Sequence, residues 1–388
     1  MSAARSIQLP QTQLATAETR RTDLTILLPT LLLIALGIAM VFSASIPMAA
    51  ADESEDIYYY LKRELLFAAL GVAAMWAVSR ASLEAVRDRA AALLALAVGL
   101  LVLVLFVGIE VNGARSWLPI PFTPFRFQPS EMAKIVLVIA AARYFSKFPM
   151  GLASWRRAAP PFLTLGVAAV LVAIEPDLGT AAVLVAAMLV YFHIAGAKLR
   201  HLLGFGTLAL SFAAITVCCH PYQLARIKAF ISRTELASDG GYQTTQSLIA
   251  MGSGGLFGRG YCGSVEKYFY LPAAIHDSIL AVIGEELGFI ATFGIVLLFA
   301  VLVWRGTAIA ARAPDRFSGL LAAGVTCLLA VQALLHIAVA TDCAPATGVP
   351  LPFVSYGGSS LVFSLIGIGL LLNVARRQRA RAIGREAA

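Results

Sequence analysis

Apolar runs separated by short polar breaks repeat along almost the whole chain, and their length sets the first expectation. A helix that crosses a bilayer needs about 20 apolar residues. On that criterion the pattern predicts helices over residues 24–46, 60–79, 90–109, 131–147, 160–174, 180–195, 202–219, 278–303, 318–340 and 359–375. The fifth and sixth are short and are joined by Glu175-Pro176-Asp177-Leu178-Gly179-Thr180. One long polar interval, 220–277, separates the seventh from the eighth. The predicted class is an all-α polytopic membrane protein of about ten transmembrane helices, with a large outer loop between helices 7 and 8.

Composition supports that class. Of 388 residues, 59% are hydrophobic and only 13% are charged, about half the usual soluble share of ~25%. The mean hydropathy is +0.82. A net charge of +8 suggests nucleic acid at first, but its placement points to a membrane instead. Arg20 and Arg21, then Arg80, Arg87 and Arg89, then Lys147, Arg156 and Arg157 fall on one side. Lys198, Arg200, Arg305, Arg312, Arg316 and the basic run from Arg376 to Arg385 join them. Basic loops stay cytoplasmic, so both termini are expected inside. The opposite side begins with Asp52, Glu53, Glu55 and Asp56. The chain thus divides into a cytoplasmic tail 1–23, a membrane domain 24–376 containing the outer loop 220–277, and a basic cytoplasmic tail 377–388. No small-residue cleavage site follows a short apolar core, so a removable signal peptide is not expected.

Ten cations break the trend and fall near the outer face: Lys62, Arg63, Arg115, Arg126, Lys134, Arg226, Lys228, Arg233, Arg259 and Lys267. One would be ordinary snorkelling; ten suggest that this face handles an anion. The stretch Gly240–Phe289 adds glycines, aromatics and isolated charges, with Asp277 at the mouth of the eighth helix and Glu285–Glu286 within it. Acidic groups at membrane depth are costly, which marks them for a partner or a function.

Each motif has a structural and a functional reading. Gln128-Pro129-Ser130-Glu131 suits a helix start, and Glu131 with Lys134 forms either an i,i+3 ion pair or a substrate contact. Asp177 sits in a turn that does not itself require two carboxylates. Gly258-Arg259-Gly260-Tyr261-Cys262-Gly263 fits GxGxxG, yet no strand precedes it, so a nucleotide fold is rejected and a close-packed irregular loop is expected. Asp277 is either a helix cap or a general base at the membrane boundary. Glu285 and Glu286 lie roughly 12–14 Å further along the helix, and at least one is expected to meet a buried cation such as Lys134. Thr347 to Ser360, including Ser355, reads as irregular chain at membrane depth, shielded by protein or lining a cavity. Cys218-Cys219-His220 reads as helix packing rather than a metal site, and a Cys262–Cys343 disulfide has no support in the spacing.

The motifs QPSEMAK, EPDLGT, GYQTTQSLIAMGSGGLFGRG, IGEELGF and PLPFVSYGGSSL, in this order and spacing, resemble those of the SEDS family (shape, elongation, division and sporulation). The resemblance runs from Leu24 to Arg376 and is closest to the division-type FtsW branch, with an elongation-type RodA role as the neighbouring reading. It implies a ten-helix peptidoglycan glycosyltransferase that polymerises lipid II at the outer leaflet of the bacterial cytoplasmic membrane, at the division septum. It also implies a class B penicillin-binding protein and other divisome membrane proteins as partners, and no nucleic acid. The family's essential aspartate matches Asp277. The chain departs from the family's LPEAHTD at Leu271-Pro272-Ala273-Ala274-Ile275-His276-Asp277, reads Ser116 where the family has arginine, and reads His336 where FtsW-type members commonly have asparagine.

With Asp277 as base, the candidates for substrate binding are Arg115, Glu131, Lys134, Asp177, Arg226, Lys267, Glu285, Glu286 and Ser355. No cofactor is required; a divalent cation is compatible with pyrophosphate departure, but no ligand cluster demands one. A lipid-linked precursor transporter and a non-catalytic division scaffold are the competing readings. No internal repeat of the kind transporters carry is visible in the sequence.

Overall fold

The computed structural model describes residues 23–51, 56–111, 114–148, 155–232 and 239–386. Arg20, Arg21, Asp52, Glu53, Glu55, Asn112, Gly113 and Arg233 lie outside these segments. All ten expected helices are present: α1 (Leu24–Ala51), α2 (Tyr59–Arg80), α3 (Leu83–Val107), α4 (Pro129–Lys147), α5 (Trp155–Ile174), α6 (Leu178–Ile194), α7 (Leu199–Cys219), α10 (Ile279–Ala311), α11 (Arg316–Ala340) and α12 (Gly358–Glu386). Two further helices fold within the long loop, α8 (Pro221–Ser232) and α9 (Asp239–Gly254). Seven of the described helices are long and apolar enough to cross a membrane, with α6 a shorter apolar one. The chain is a multi-pass helical membrane protein.

Helix ends depart from the expectation because apolarity marks the membrane core and not the helix. α3 begins at Leu83, ahead of its apolar run, because the Ser82 hydroxyl caps it by accepting the Ala85 amide at 3.2 Å. α11 starts the same way, with Asp315 accepting the Ser318 amide at 3.0 Å. α12 continues to Glu386 through the basic run expected as a tail. Its arginines find partners there: Arg377 Nη2 meets Glu84 at 2.7 Å and Arg379 meets Asp23 at 3.1 Å. Asp23 also binds Arg305 at 2.7 Å. Desolvation pushes its carboxyl up, but the bonds from Arg305 and Thr25 and the charges of Arg305 and Arg379 hold it below the usual range.

One departure from an all-α chain is a small antiparallel sheet, β1 (Ile109–Val111), β2 (Ala114–Pro119) and β3 (Arg126–Phe127), in that order. It closes the loop between α3 and α4, with Leu118 paired to Phe127. At the centre of the bundle stand α11 and α12, with 72% and 78% of their apolar windows buried, against 6% for α7. α11 packs on α4, α6, α10 and α12, while α7 touches only α5, α6 and α8 strongly. The bundle is therefore closely packed around α11 and α12, and α7 is a peripheral wall with few helix neighbours.

Candidate functional site

The acidic pair in α10 is held by the loop that precedes it. α10 breaks at Gly288, whose φ is 76°, and the break releases backbone groups that need new partners. The glycine loop supplies them. Phe289 N donates to Gly255 O at 2.9 Å, Ile290 N to Leu256 O at 3.2 Å, Arg259 N to Glu285 O at 2.9 Å and Gly260 N to Glu286 O at 2.9 Å. Only glycine fits at position 258: its φ is +79°, and a Cβ would stand 2.2 Å from the Glu286 carbonyl oxygen.

The side chains of the pair are saturated too. Glu285 accepts from Ser264 Oγ at 2.5 Å, Val265 N at 3.0 Å, Glu266 N at 3.3 Å and Arg259 Nη1 at 3.0 Å. Glu286 accepts from Lys267 Nζ at 2.8 Å, Ser43 Oγ at 2.7 Å and Cys262 N at 3.0 Å. Both carboxylates are fully buried. A buried cation meets the pair, as expected, but it is Lys267, with the more exposed Arg259 beside it, and not Lys134, which pairs with Glu131. Lys267, Glu285 and Glu286 therefore form a buried staple between α1, α10 and the loop, and none of them lines the cavity described next.

That cavity, ≈ 2020 Å³, opens at the end of the bundle that carries the sheet, the α5–α6 turn and the start of α10. Asp277 stands in its wall, 8% exposed. Its Oδ2 accepts from Gln243 Nε2 of α9 at 3.0 Å, and its Oδ1 has no partner among the described residues. The helix cap is Ser278, with no side-chain bond to the first turn, so Asp277 does not cap α10. The segment before it, with His276 Nδ1 2.9 Å from Tyr356 O and Tyr356 N donating to Ile275 O at 2.9 Å, is tied to the chain leading into α12.

Arg63, Arg126 and Arg226 line the same cavity, as do Glu131 and Asp177. Arg63 donates to the Pro124 carbonyl at 3.0 Å and lies over the Phe125 ring. Arg115, by contrast, points to Glu110 at 3.5 Å, is mostly exposed and does not reach the lining. Lys134 is buried between Glu131 at 2.9 Å and Gln332 at 2.8 Å, the ion-pair arrangement that its spacing allows. Asp177 caps α6 through Thr180 N at 2.9 Å and accepts from Gln128 Nε2 at 3.2 Å. Ser355 accepts the Leu351 amide at 2.8 Å and lies outside the lining, which makes it a turn residue. Of the ten cations expected near the outer face, Lys62, Arg115, Lys134, Arg259 and Lys267 each have a carboxylate partner.

Three polar residues in or beside the cavity sit in the sequence motifs, which assign them no role. Gln243 is one polar position on an amphipathic loop helix. Tyr356 lines the cavity, and burial pushes its hydroxyl up to about 12. Glu175, wholly buried, has no hydrogen-bond partner for either carboxylate oxygen among the described residues; the nearby Ser116 hydroxyl donates to its backbone carbonyl instead, at 3.4 Å. Burial first, and then the neighbouring Asp177, push it up to about 8.

The other arm of the cavity is apolar, running between α5, α6 and α7 past Val170, Val185, Leu189, Phe205 and Phe212. Its volume exceeds the roughly 300–1,000 Å³ of a small-molecule pocket. Chemically, one concavity offers a carboxylate with a bare oxygen, three guanidinium groups and a greasy channel. All five cysteines are free, and no cluster of three or more metal-ligating residues occurs among the described residues.

Fold and site together define a multi-pass helical membrane protein with a large amphipathic cavity at one membrane boundary. Residues 23–380 match the family model of the FtsW/RodA/SpoVE cell cycle proteins. Stage V sporulation protein E of Bacillus subtilis is 40% identical, over 92% of this chain and 98% of that protein. A probable peptidoglycan glycosyltransferase FtsW of Trichlorobacter lovleyi is also 40% identical, over 91% of this chain and 93% of that protein. Among solved structures, a chain of a peptidoglycan synthase complex described as coordinating polymerization and crosslinking superposes with a TM-score of 0.74 at 28% identity, covering 92% of this chain and 99% of its own. Thermus thermophilus rod shape determining protein RodA gives 0.67 at 29%, covering 93% and 98%. The chain belongs to this family, the SEDS proteins, and is FtsW-like within it.

Proposed function

We propose that this protein is a peptidoglycan glycosyltransferase that polymerises lipid II, with Asp277 as general base. The observation that carries the reading is the Asp277 carboxylate, fixed through one oxygen by Gln243 and bare on the other, in the wall of a cavity with an apolar arm and three arginines. Chain growth requires a sugar hydroxyl to attack an anomeric carbon as a polyprenyl pyrophosphate leaves. The hydroxyl gives its proton to Asp277 Oδ1 as the new C–O bond forms. The departing pyrophosphate gains negative charge beside Arg63, Arg126 and Arg226. The polyprenyl chain lies in the apolar arm, with α7 as its peripheral wall. Single displacement of this kind inverts the anomeric centre. Arg63 and Arg126 replace Arg115 and Lys134 as leaving-group cations, because they line the cavity and the latter two do not.

The cavity end faces outward and both termini are cytoplasmic, a reading supported by the arginines gathered around Asp23 and Glu84 at the opposite end. FtsW and SpoVE names among the relatives support a role in septal synthesis, beside a class B penicillin-binding protein and other divisome membrane proteins. Residues 1–23 and 377–388 form cytoplasmic extensions of the membrane domain.

The test is polymer formation from fluorescent lipid II by the purified protein with its transpeptidase partner. Translocation of lipid II between leaflets without polymer would establish a transporter instead.

A further inference from the structure

Asp277 stands beside a strap of irregular chain, residues 346–351, that several elements pin by its carbonyls. Arg226 Nη1 of α8 donates to Ala346 O at 3.2 Å, and Gln332 Nε2 of α11 donates to Pro350 O at 3.0 Å. The start of α6 presses on Thr347, where a Cβ at Gly179 would come within 2.0 Å of the carbonyl oxygen. Between these points the strap turns through Gly348, at φ +69°, whose Cβ position would be 4.0 Å from Asp277 Oδ2. The strap is thus the immediate neighbour of the carboxylate, and its placement bears on where that carboxylate points.

His336 of α11 holds a further carbonyl of the strap, that of Val349. Its Nδ1 lies 2.8 Å from Val349 O. A carbonyl only accepts, so Nδ1 carries the proton and the neutral ring leaves Nε2 as a bare lone pair. Nε2 is buried without a partner among the described residues, in a side chain 1% exposed. An unpaired polar atom at such depth is unfavourable, and an aliphatic residue would fill the space without it.

We propose that His336 is a positioning residue for Asp277: its Nδ1–H clamps Val349 O and so sets Gly348 against the carboxylate. Gln332 holds the next carbonyl and is itself held by Lys134, which gives the buried Glu131–Lys134 pair a task in the same strap. This rests on the general-base reading and deepens it. The device matters because a displacement of about 1 Å at a reacting group can cost on the order of a hundredfold in rate.

The experiment measures kcat and KM for lipid II polymerisation, and thermal stability in detergent, for three substitutions in the full chain with its partner. His336→Leu removes the donor and is expected to lower kcat by about tenfold to a hundredfold with KM within about twofold. His336→Asn places an amide N–H where Nδ1–H stands and is expected to restore kcat to within about threefold of wild type. His336→Gln reaches the Nε2 position instead and is expected to fall with His336→Leu. Should His336→Leu fail to fold, the Asn and Gln variants decide, and equal activity of those two overturns the proposal. Wild-type kcat in His336→Leu, or a raised KM at unchanged kcat, overturns it as well. An inactive Asp277→Asn beside a fully active His336→Leu would remove only the positioning role; an active Asp277→Asn would remove the base itself.

Discussion

Two groups of acidic residues, Glu285–Glu286 on one side and Asp277 with Glu175 on the other, are treated in opposite ways by the same fold. Glu285 and Glu286 are buried and saturated, with backbone amides, hydroxyls and cations directed at their oxygens. Asp277 and Glu175 are buried too and keep oxygens without partners among the described residues. Burying a carboxylate is costly, and full hydrogen bonding offsets that cost. A fold that solves the problem for one pair and leaves it unsolved nearby has kept the second set for something other than stability. Depth in an apolar helix alone does not separate the two; the partners do.

The comparison breaks first at Asp277. Asp277→Asn keeps size and the bond to Gln243 while removing the base. Polymerisation is expected to fall by about 10²–10⁴-fold, with the melting temperature in detergent close to wild type. A variant that folds, binds its partner and polymerises normally would place Asp277 with the structural carboxylates.

The staple should show the reverse. Lys267→Met leaves the Glu286 carboxylate buried and without its cation, a change expected to cost about 3–5 kcal/mol. Thermal unfolding and yield of the purified protein measure it. A variant as stable as wild type but unable to polymerise would move Lys267 back among the substrate contacts.

Glu175 sharpens the contrast through pH. Its carboxyl ionises near 4.5 when unfolded and near 8 in the folded chain, where burial and Asp177 disfavour the charge. Between those values the folded state keeps a proton that the unfolded chain has lost. Its contribution to stability therefore falls as pH rises from about 4.5 to about 8 and is level above that. Glu175→Gln should flatten the decline of melting temperature across that window. An unchanged slope would mean that Glu175 ionises normally.

The ten helices are legible in the sequence because a bilayer-length apolar run is a long signal. Their ends are not, since Ser82 and the arginines of α12 extend helices beyond the apolar core. Asp277 is recognisable from its motif, and the structure adds what the motif cannot: it caps nothing, and one oxygen is bare. The roles of Lys267, Glu285 and Glu286 are hidden because their partners come from a loop without regular secondary structure. Gln243 and Arg126 are hidden for a related reason, since only the tertiary fold brings α9 and β3 to one cavity. The short sheet escapes because β1 continues the apolar run of α3.

The smallest expected effect tests which partners matter within the staple. Arg259 is the exposed member of its pair, 42% exposed against a fully buried Glu285. Arg259→Ala leaves Glu285 its bonds from Ser264 Oγ, Val265 N and Glu266 N, and leaves the residue 259 amide on Glu285 O. A partly solvated ion pair contributes about 0–1 kcal/mol. The melting temperature should therefore move by no more than about 2 °C, since 1 kcal/mol corresponds to roughly 2–4 °C even in a smaller domain. A loss as large as that of Lys267→Met would show that charge, and not the ring of backbone donors, holds Glu285. The two glutamates would then be buried by different means, and the staple would be a pair of ion pairs joined only by sequence.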